Sequence, residues 1–204
     1  MKQIDTYIIE KLHINKDYKI NKKKYFPHNK EELLELVKKL IKENGRSANL
    51  NDIDTSEITD MSELFRDMNI QQIDISDWDV SNVTDMHNMF HLNKFFNCDL
   101  SNWDVSKVKN MEYMFNGCEL FDSDLSKWNV SNLEKASCMF SYCYEFDCDL
   151  SKWDVSKIFK MEYMFYDCKK FSHNLSNWKV KRGCDMYSTF VGCSSMPEKF
   201  LAHK

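Results

Sequence analysis

Residues 99–118 read DLSNWDVSKVKNMEYMFNGC, and near-copies of this stretch recur along the chain at a fixed spacing of 25 residues. The tryptophans keep this step without slippage, at Trp78, Trp103, Trp128, Trp153 and Trp178. A column of phenylalanines keeps it too, at Phe65, Phe90, Phe115, Phe140, Phe165 and Phe190. A constant period of this length predicts a solenoid, in which each repeat buries its apolar face against its neighbours. We expect both columns to be structural ladders inside that stack.

The apolar spacing changes partway through each repeat. Before the tryptophan, alternate residues are apolar, which predicts a short strand; one example is Phe96, Cys98 and Leu100. After it the apolar step is three or four, which predicts a short helix; one example is Val108, Met111, Met114, Phe115 and Cys118. The predicted fold class is therefore a right-handed α/β solenoid, a leucine-rich-repeat-like stack of short parallel strands and short helices.

Four regions are predicted along the chain. Residues 1–28 form an N-terminal arm with a basic linker, 29–49 an N-terminal capping helix, 50–193 the repeats and 194–204 a C-terminal cap. The repeat region holds one degenerate and five full copies. Asn29 and Glu32 make a capping-box pattern at the helix start, and Gly45 suits its end. An apolar stripe on this helix predicts that it covers the open first repeat.

Charge is distributed unevenly and narrows the choice of partners. Residues 1–50 carry 12 Lys+Arg against 7 Asp+Glu, whereas residues 51–204 carry 16 against 25. An acidic repeat body argues against binding of nucleic acid, whose phosphates it would repel. No apolar run reaches membrane-spanning length, and no export signal is visible in residues 1–20. We expect a cytoplasmic monomer, with cell-surface or virion-associated display as alternatives.

Eight cysteines occur, and four of them follow the repeat step: Cys118, Cys143, Cys168 and Cys193. We expect these four to be free, buried thiols that pack as small hydrophobic side chains rather than as disulfides. No CxxC pair suggests zinc, and the chain has no phosphate loop, nucleophile elbow or dinucleotide fingerprint. Catalytic residues, metal ligands and cofactors are therefore not expected, and the protein is predicted not to be an enzyme.

Aspartates form the candidate partner-binding face. Its members are Asp74, Asp99, Asp124 and Asp149, with their neighbours Asn97, Asp122 and Asp147. One interpretation is a surface for a basic partner or a cation; the other is that each aspartate accepts hydrogen bonds from its own turn. The tryptophan column also has two interpretations, a sugar-stacking platform or a structural column.

The pattern LSxWDVSxVxxMxxMFxxC, seen in residues 100–118 and 150–168, resembles the BspA-like branch of the leucine-rich-repeat superfamily. This resemblance covers roughly residues 50–193. It implies a bacterial, non-enzymatic protein, often displayed on the cell surface, with adhesins among the relatives. We expect a repeat scaffold that binds a protein through an acidic strand face. The alternatives are a carbohydrate- or cation-binding lectin-like module and a phage-associated interaction protein.

Overall fold

A computed structural model describes residues 23–194, and in this range successive 25-residue repeats stack on one another. The six phenylalanines of the column from Phe65 to Phe190 lie face to face, with ring centroids 5.4 to 5.6 Å apart. A second column packs beside it at 4.1 to 4.5 Å and consists of Phe96, Phe121, Phe146 and Phe171. Stacked aromatic rings therefore run through the middle of the protein as one continuous core.

The predicted stack of parallel strands is wrong. The described residues contain single parallel β-bridges between repeats, such as Asp85 with Asn110, and no β-sheet. The alternating burial of Phe96, Cys98 and Leu100 is present, but backbone pairing is not. Side chains supply the hydrogen-bond acceptors instead. For example, the amide of Leu100 donates to Ser123 Oγ at 3.0 Å. A strand ladder needs main-chain partners on both sides, and here side-chain oxygens occupy those positions.

The predicted short helices after each tryptophan are also wrong. Two positions per repeat have positive φ, represented by Tyr113 at 59° and Gly117 at 76°, and this conformation interrupts an α-helix. The amides of Met111, Tyr113, Phe115 and Gly117 each donate to the next repeat at 2.9 Å. Overlapping β-turns result, because amides that bond to a neighbouring repeat are not available to bond four residues back along their own chain.

One α-helix is present in the described range, α1 at Lys30–Asn44. Asn29 caps it as predicted, and its Oδ1 accepts the amide of Glu32 at 2.9 Å. Glu32 reaches back as the predicted capping box requires, but its carboxylate accepts the amide of His28 at 2.9 Å, one residue before the N-cap. The apolar stripe is buried in the common core and comprises Leu33, Val37 and Leu40. Helix α1 thus packs on the first repeat, where Lys30 Nζ lies 3.3 Å from a carboxylate oxygen of Asp60.

Two of the predicted regions fall partly or wholly outside the described residues. Most of the N-terminal arm, residues 1–22, lies outside them, as do residues 195–204 of the predicted C-terminal cap. Within residues 23–194, no helix combines the length and the apolar character needed to cross a membrane.

Candidate protein-interaction surfaces

The four aspartates of the predicted face each accept a backbone hydrogen bond within their own turn. Oδ1 of Asp99 accepts the amide of Ser101 at 2.9 Å, and Oδ1 of Asp124 accepts that of Ser126 at 2.9 Å. Asp74 and Asp149 make the same bond at 3.2 and 2.9 Å. The backbone and then the side chain of Ser101 lower the pKa of Asp99. Each carboxylate is therefore ionised and committed through one oxygen to an Asx turn.

Their neighbours connect one repeat to the next. Oδ1 of Asn97 accepts the amide of Asp122 at 3.2 Å, and Oδ1 of Asp122 accepts the amide of Asp147 at 3.3 Å. Together with Asp99 and Asp124, Asn97 and Asp122 line an open cavity of about 420 Å³. The structure thus brings four members of the predicted face into one depression. Asp74, Asp147 and Asp149 do not line it.

Asparagine keeps the bond where it replaces aspartate, once in this column at Asn174 and once, at Asn129, in the neighbouring column that includes Asp104. Asn129 accepts the amide of Ser131 at 3.2 Å, and Asn174 accepts that of Ser176 at 2.9 Å. An amide oxygen therefore satisfies the turn as a carboxylate does. The fold requires an acceptor at these positions, and the negative charge is an additional property of the surface.

The tryptophan column is internal. All five indoles are 1–4% exposed, so the sugar-stacking interpretation is wrong. Each Nε1–H donates to the carbonyl 28 residues earlier at 2.9 to 3.3 Å, with Leu50, Ile75, Leu100, Leu125 and Leu150 as acceptors. The column therefore joins adjacent repeats by both ring packing and a buried hydrogen bond.

The cysteine column uses the same offset of 28 residues. The thiols of Cys118, Cys143, Cys168 and Cys193 donate to the carbonyls of the phenylalanine column at 2.8 to 3.1 Å. All eight cysteines are free; this confirms the prediction for the four of the column, of which Cys118, Cys143 and Cys168 are buried and Cys193 is half-buried. A side chain at this column position therefore donates a hydrogen bond as well as packing in the core. Asn93, one repeat before Cys118, fits this requirement because its amide donates to the Phe65 carbonyl.

Burial keeps these thiols protonated. Desolvation raises the pKa of Cys193 to about 12 and that of Cys98 to about 11, and the pKa of Cys143 rises well above its ordinary value. Because a thiolate is the reactive form, the buried column is protected against alkylation and oxidation.

We expect thiol labelling of the native protein to divide the cysteines by burial. At pH 8 the fully buried Cys118, Cys143 and Cys168 should react at least roughly a hundredfold more slowly than the half-buried Cys138 and Cys184. All eight should react in denaturant. The pKa values of these thiols in the folded state lie above the unfolded value of 9.0. Their contribution to the free energy of unfolding is therefore full below about pH 9 and decreases as the pH rises toward the folded pKa values. Equal labelling rates would contradict the buried column.

A surface that the sequence analysis did not identify lies on the overlapping turns. We call it the tyrosine ridge, and it consists of Tyr113, Tyr142, Tyr144, Tyr163, Tyr166 and Tyr187. Ring centroids of Tyr142 and Tyr166 are 5.5 Å apart, those of Tyr166 and Tyr163 are 5.7 Å apart, and those of Tyr163 and Tyr187 are 5.4 Å apart. The ring pairs meet edge to face, which leaves exposed aromatic surface along three adjacent repeats.

Backbone conformation accounts for this exposure. Tyr113, Tyr142 and Tyr163 have φ of 59°, 62° and 56°, at the two positive-φ positions of the repeat. The Tyr113 and Tyr142 side chains are 40% and 41% exposed. A usable signal was present in the sequence, because the positions equivalent to Tyr113 hold Glu, Asn, Tyr, Cys, Tyr and Ser. A position that varies so widely among stacked repeats faces solvent, so large aromatic residues there indicate an exposed surface.

Within residues 23–194, no group of three or more His, Cys, Asp or Glu side chains is arranged to hold a metal ion. In this range, neither the depression around Asp99 and Asp124 nor the tyrosine ridge contains such a group.

Comparison with known proteins assigns a family. No curated protein and no solved structure matches the chain. A family described as "Mycoplasma protein of unknown function, DUF285" matches residues 35–146 and, in a second overlapping alignment, residues 102–203. The two matches together cover most of the chain, and their overlap is what a repeated unit produces. The chain therefore belongs to the DUF285 family of repeat proteins.

Proposed function

We propose that the protein is a non-catalytic repeat scaffold that binds a protein partner through the tyrosine ridge. The observation that carries the proposal is the contiguous exposed aromatic surface on repeated turns. Earlier repeats also expose apolar side chains, Leu92 at the repeat position of Tyr142 and Phe95 and Leu120 at another shared position, which are 51%, 42% and 45% exposed. Tyrosine is enriched in protein interfaces because it supplies a large contact area and loses little conformational entropy on binding.

The ridge is held by a rigid backbone, which favours binding. The amides of Tyr113 and Tyr163 donate to the following repeat at 2.9 Å, and that of Tyr142 does so at 2.8 Å. A surface already ordered in the free protein avoids part of the entropic cost of association.

A non-enzymatic role is part of the proposal. All eight cysteines have a pKa above their ordinary value, chiefly through burial, so none is activated as a thiolate nucleophile. The acidic composition of residues 51–204 supports a partner other than nucleic acid. An adhesin-like role on a cell surface, as the BspA-like resemblance implies, is the finer form of this proposal; cytoplasmic location and a monomeric state stay predictions.

The acidic face predicted from the sequence stays a second candidate surface. Its regular spacing has a structural explanation, since each aspartate caps a turn, and this weakens regularity as an argument for binding. Its unused carboxylate oxygens are nevertheless exposed around the depression of Asp99 and Asp124.

The two surfaces can be separated with substitutions that the repeats themselves already contain. Tyr113→Ser, Tyr163→Ser and Tyr187→Ser each introduce a residue found at the same repeat position elsewhere, namely Ser188 for the first two and Ser62 for the third. Asp99→Asn, Asp124→Asn and Asp149→Asn imitate Asn174 and keep the turn acceptor. Each triple variant should therefore retain the fold, which thermal unfolding checks.

We expect the tyrosine triple variant to lose binding and the aspartate triple variant to keep it. The full chain is used as bait against proteins of the source cell and its surroundings, and any captured protein is then purified and titrated against all three forms. Loss of three interface tyrosines should weaken the affinity at least about tenfold. Loss of affinity only in the aspartate variant would assign binding to the acidic face, and equal affinity in all three forms would contradict both surfaces.

A further inference from the structure

Apart from the repeat position of Tyr144, which holds Lys169 in the next repeat, the charges at the repeat positions of the tyrosine ridge are all of one sign. Tyr113, Tyr142, Tyr163, Tyr166 and Tyr187 occupy four repeat positions, which comprise 16 residues in the last four repeats, three of them buried. Among these 16 the only charged residues are three carboxylates, Glu112, Glu162 and Asp167. Within residues 23–194, none of the three forms an ion pair.

The same positions in the first two repeats are arranged differently. Arg66 lies 3.3 Å from Glu63 and 3.6 Å from Asp67, and His87 Nε2 lies 3.6 Å from Glu63. There Glu63 and Asp67 have a cationic partner within the chain, the guanidinium of Arg66. In the last four repeats, Glu112, Glu162 and Asp167 have no such partner among the described residues, although Lys135 lies in the repeat between Glu112 and Glu162.

Each carboxylate is the direct chain neighbour of a ridge tyrosine, Glu112 of Tyr113, Glu162 of Tyr163 and Asp167 of Tyr166. Glu112 and Glu162 both contribute, after the hydrogen bond with Cys138 and burial, to a raised pKa of about 12 for Tyr113. Asp167 likewise contributes, after burial and Tyr166, to the raised pKa of Tyr142. Aromatic rings and negative charges therefore belong to one surface, and the raised pKa keeps the phenols of Tyr113 and Tyr142 neutral at physiological pH.

The ridge already accepts a cation from its own chain. Nζ of Lys169 lies 4.3 Å from the ring centroid of Tyr144, within the distance of a cation–π contact. Within residues 23–194, no lysine or arginine lies over the ring of its neighbour Tyr142, whose centroid is 6.5 Å from that of Tyr144.

From this arrangement we infer that the partner presents lysine or arginine side chains to the ridge. Ammonium or guanidinium groups would lie on the faces of Tyr142, Tyr163 and Tyr187 and pair with Glu112, Glu162 and Asp167. Aromatic faces with unpaired carboxylates complement such groups in both shape and charge. The inference rests on the proposed function and specifies the chemistry of the segment that is bound.

The test uses the full chain with ¹³C-labelled tyrosine rings and a decapeptide of alternating lysine and glycine. We expect NMR titration to shift the ring signals of the ridge and to leave Tyr25, near the start of α1, unchanged. The same peptide with every lysine acetylated should bind at least about tenfold more weakly, because acetylation removes the charge and with it the cation–π and ionic contacts.

Matched charge variants locate the site. Glu112→Gln, Glu162→Gln and Asp167→Asn together should weaken binding of the lysine peptide about tenfold. The control removes three exposed or half-buried charges elsewhere, Glu35→Gln, Glu43→Gln and Glu134→Gln, and should change the affinity less than about twofold. Tyr163→Phe should retain binding because the ring face remains, whereas Tyr163→Ser should weaken it.

Two results would overturn the inference. Equal binding of the acetylated peptide would show that the lysine charge is not recognised. Equal weakening by the ridge variant and the control variant would show that the peptide is attracted by the overall negative charge and not by the ridge. Either result leaves the proposed function intact if the affinity for a captured protein still depends on Tyr113, Tyr163 and Tyr187. If that dependence is absent as well, the proposed function fails with it.

Discussion

A Phe140→Ala variant is expected to lose about 3–5 kcal/mol of unfolding free energy, which is among the largest effects available in this chain. The Phe140 ring is fully buried. It stacks on Phe115 and Phe165 at 5.6 and 5.5 Å and packs against Phe146 at 4.3 Å. Truncation leaves a cavity that the neighbouring rings, held in stacked columns, are poorly able to fill. Urea unfolding followed by tryptophan fluorescence measures the change.

The matched control is Phe95→Ala, which removes the same ring from a position that is 42% exposed. Its unfolding free energy should stay within about 0.5 kcal/mol of the parent. If the Phe140 variant unfolded at the same urea concentration as this control, the phenylalanine column would not be the core of the protein.

An Asn93→Leu variant is expected to lose a similar amount, about 3–5 kcal/mol, for a polar reason. Asn93 is completely buried. Its Nδ2 donates to the carbonyls of Phe65 at 2.7 Å and Phe90 at 3.0 Å, and its Oδ1 accepts the amide of Ile70 at 3.0 Å. Leucine has nearly the same size but no polar atom, so the buried Ile70 amide would lose its acceptor. The carbonyls of Phe65 and Phe90 would each lose one donor and keep the backbone amides of Met68 and of residue 93.

Asn93→Cys provides a graded comparison, because cysteine fills this position in the next four repeats. Its thiol can donate to the Phe65 carbonyl as Cys118 does to that of Phe90 at 3.1 Å, while the Ile70 amide stays without an acceptor. We expect the order of stability to be parent, then cysteine, then leucine, measured by urea unfolding. A leucine variant as stable as the cysteine variant would refute the hydrogen-bonding role.

The sequence alone was enough to predict that residues 25 apart occupy the same place in successive repeats. It was also enough to predict helix α1. Phe65 to Phe190 and Trp78 to Trp178 recur at one step, and identical side chains at one step must meet identical neighbours in a stack. The helix was predictable because Asn29, Glu32 and Gly45 act locally, through bonds within a few residues of one another.

Periodicity misled where it was used to infer backbone conformation. Alternation at residues 96–100 indicates which side chains are buried, but a strand also needs main-chain pairing, and Ser123 Oγ takes the bond from Leu100. Steps of three and four after Trp103 arise equally from overlapping turns, as the positive φ of Tyr113 shows. Burial pattern constrains side chains, and different backbones can satisfy the same pattern.

The sequence by itself therefore determined the repeat, the buried columns and helix α1, because these depend on side-chain identity at a constant spacing or on local capping. Only the tertiary structure decided where the backbone amides bond and which variable positions share a surface. Tyr142, Tyr163 and Tyr187 are 21 and 24 residues apart along the chain, so only the stacking of three repeats brings them into one ridge.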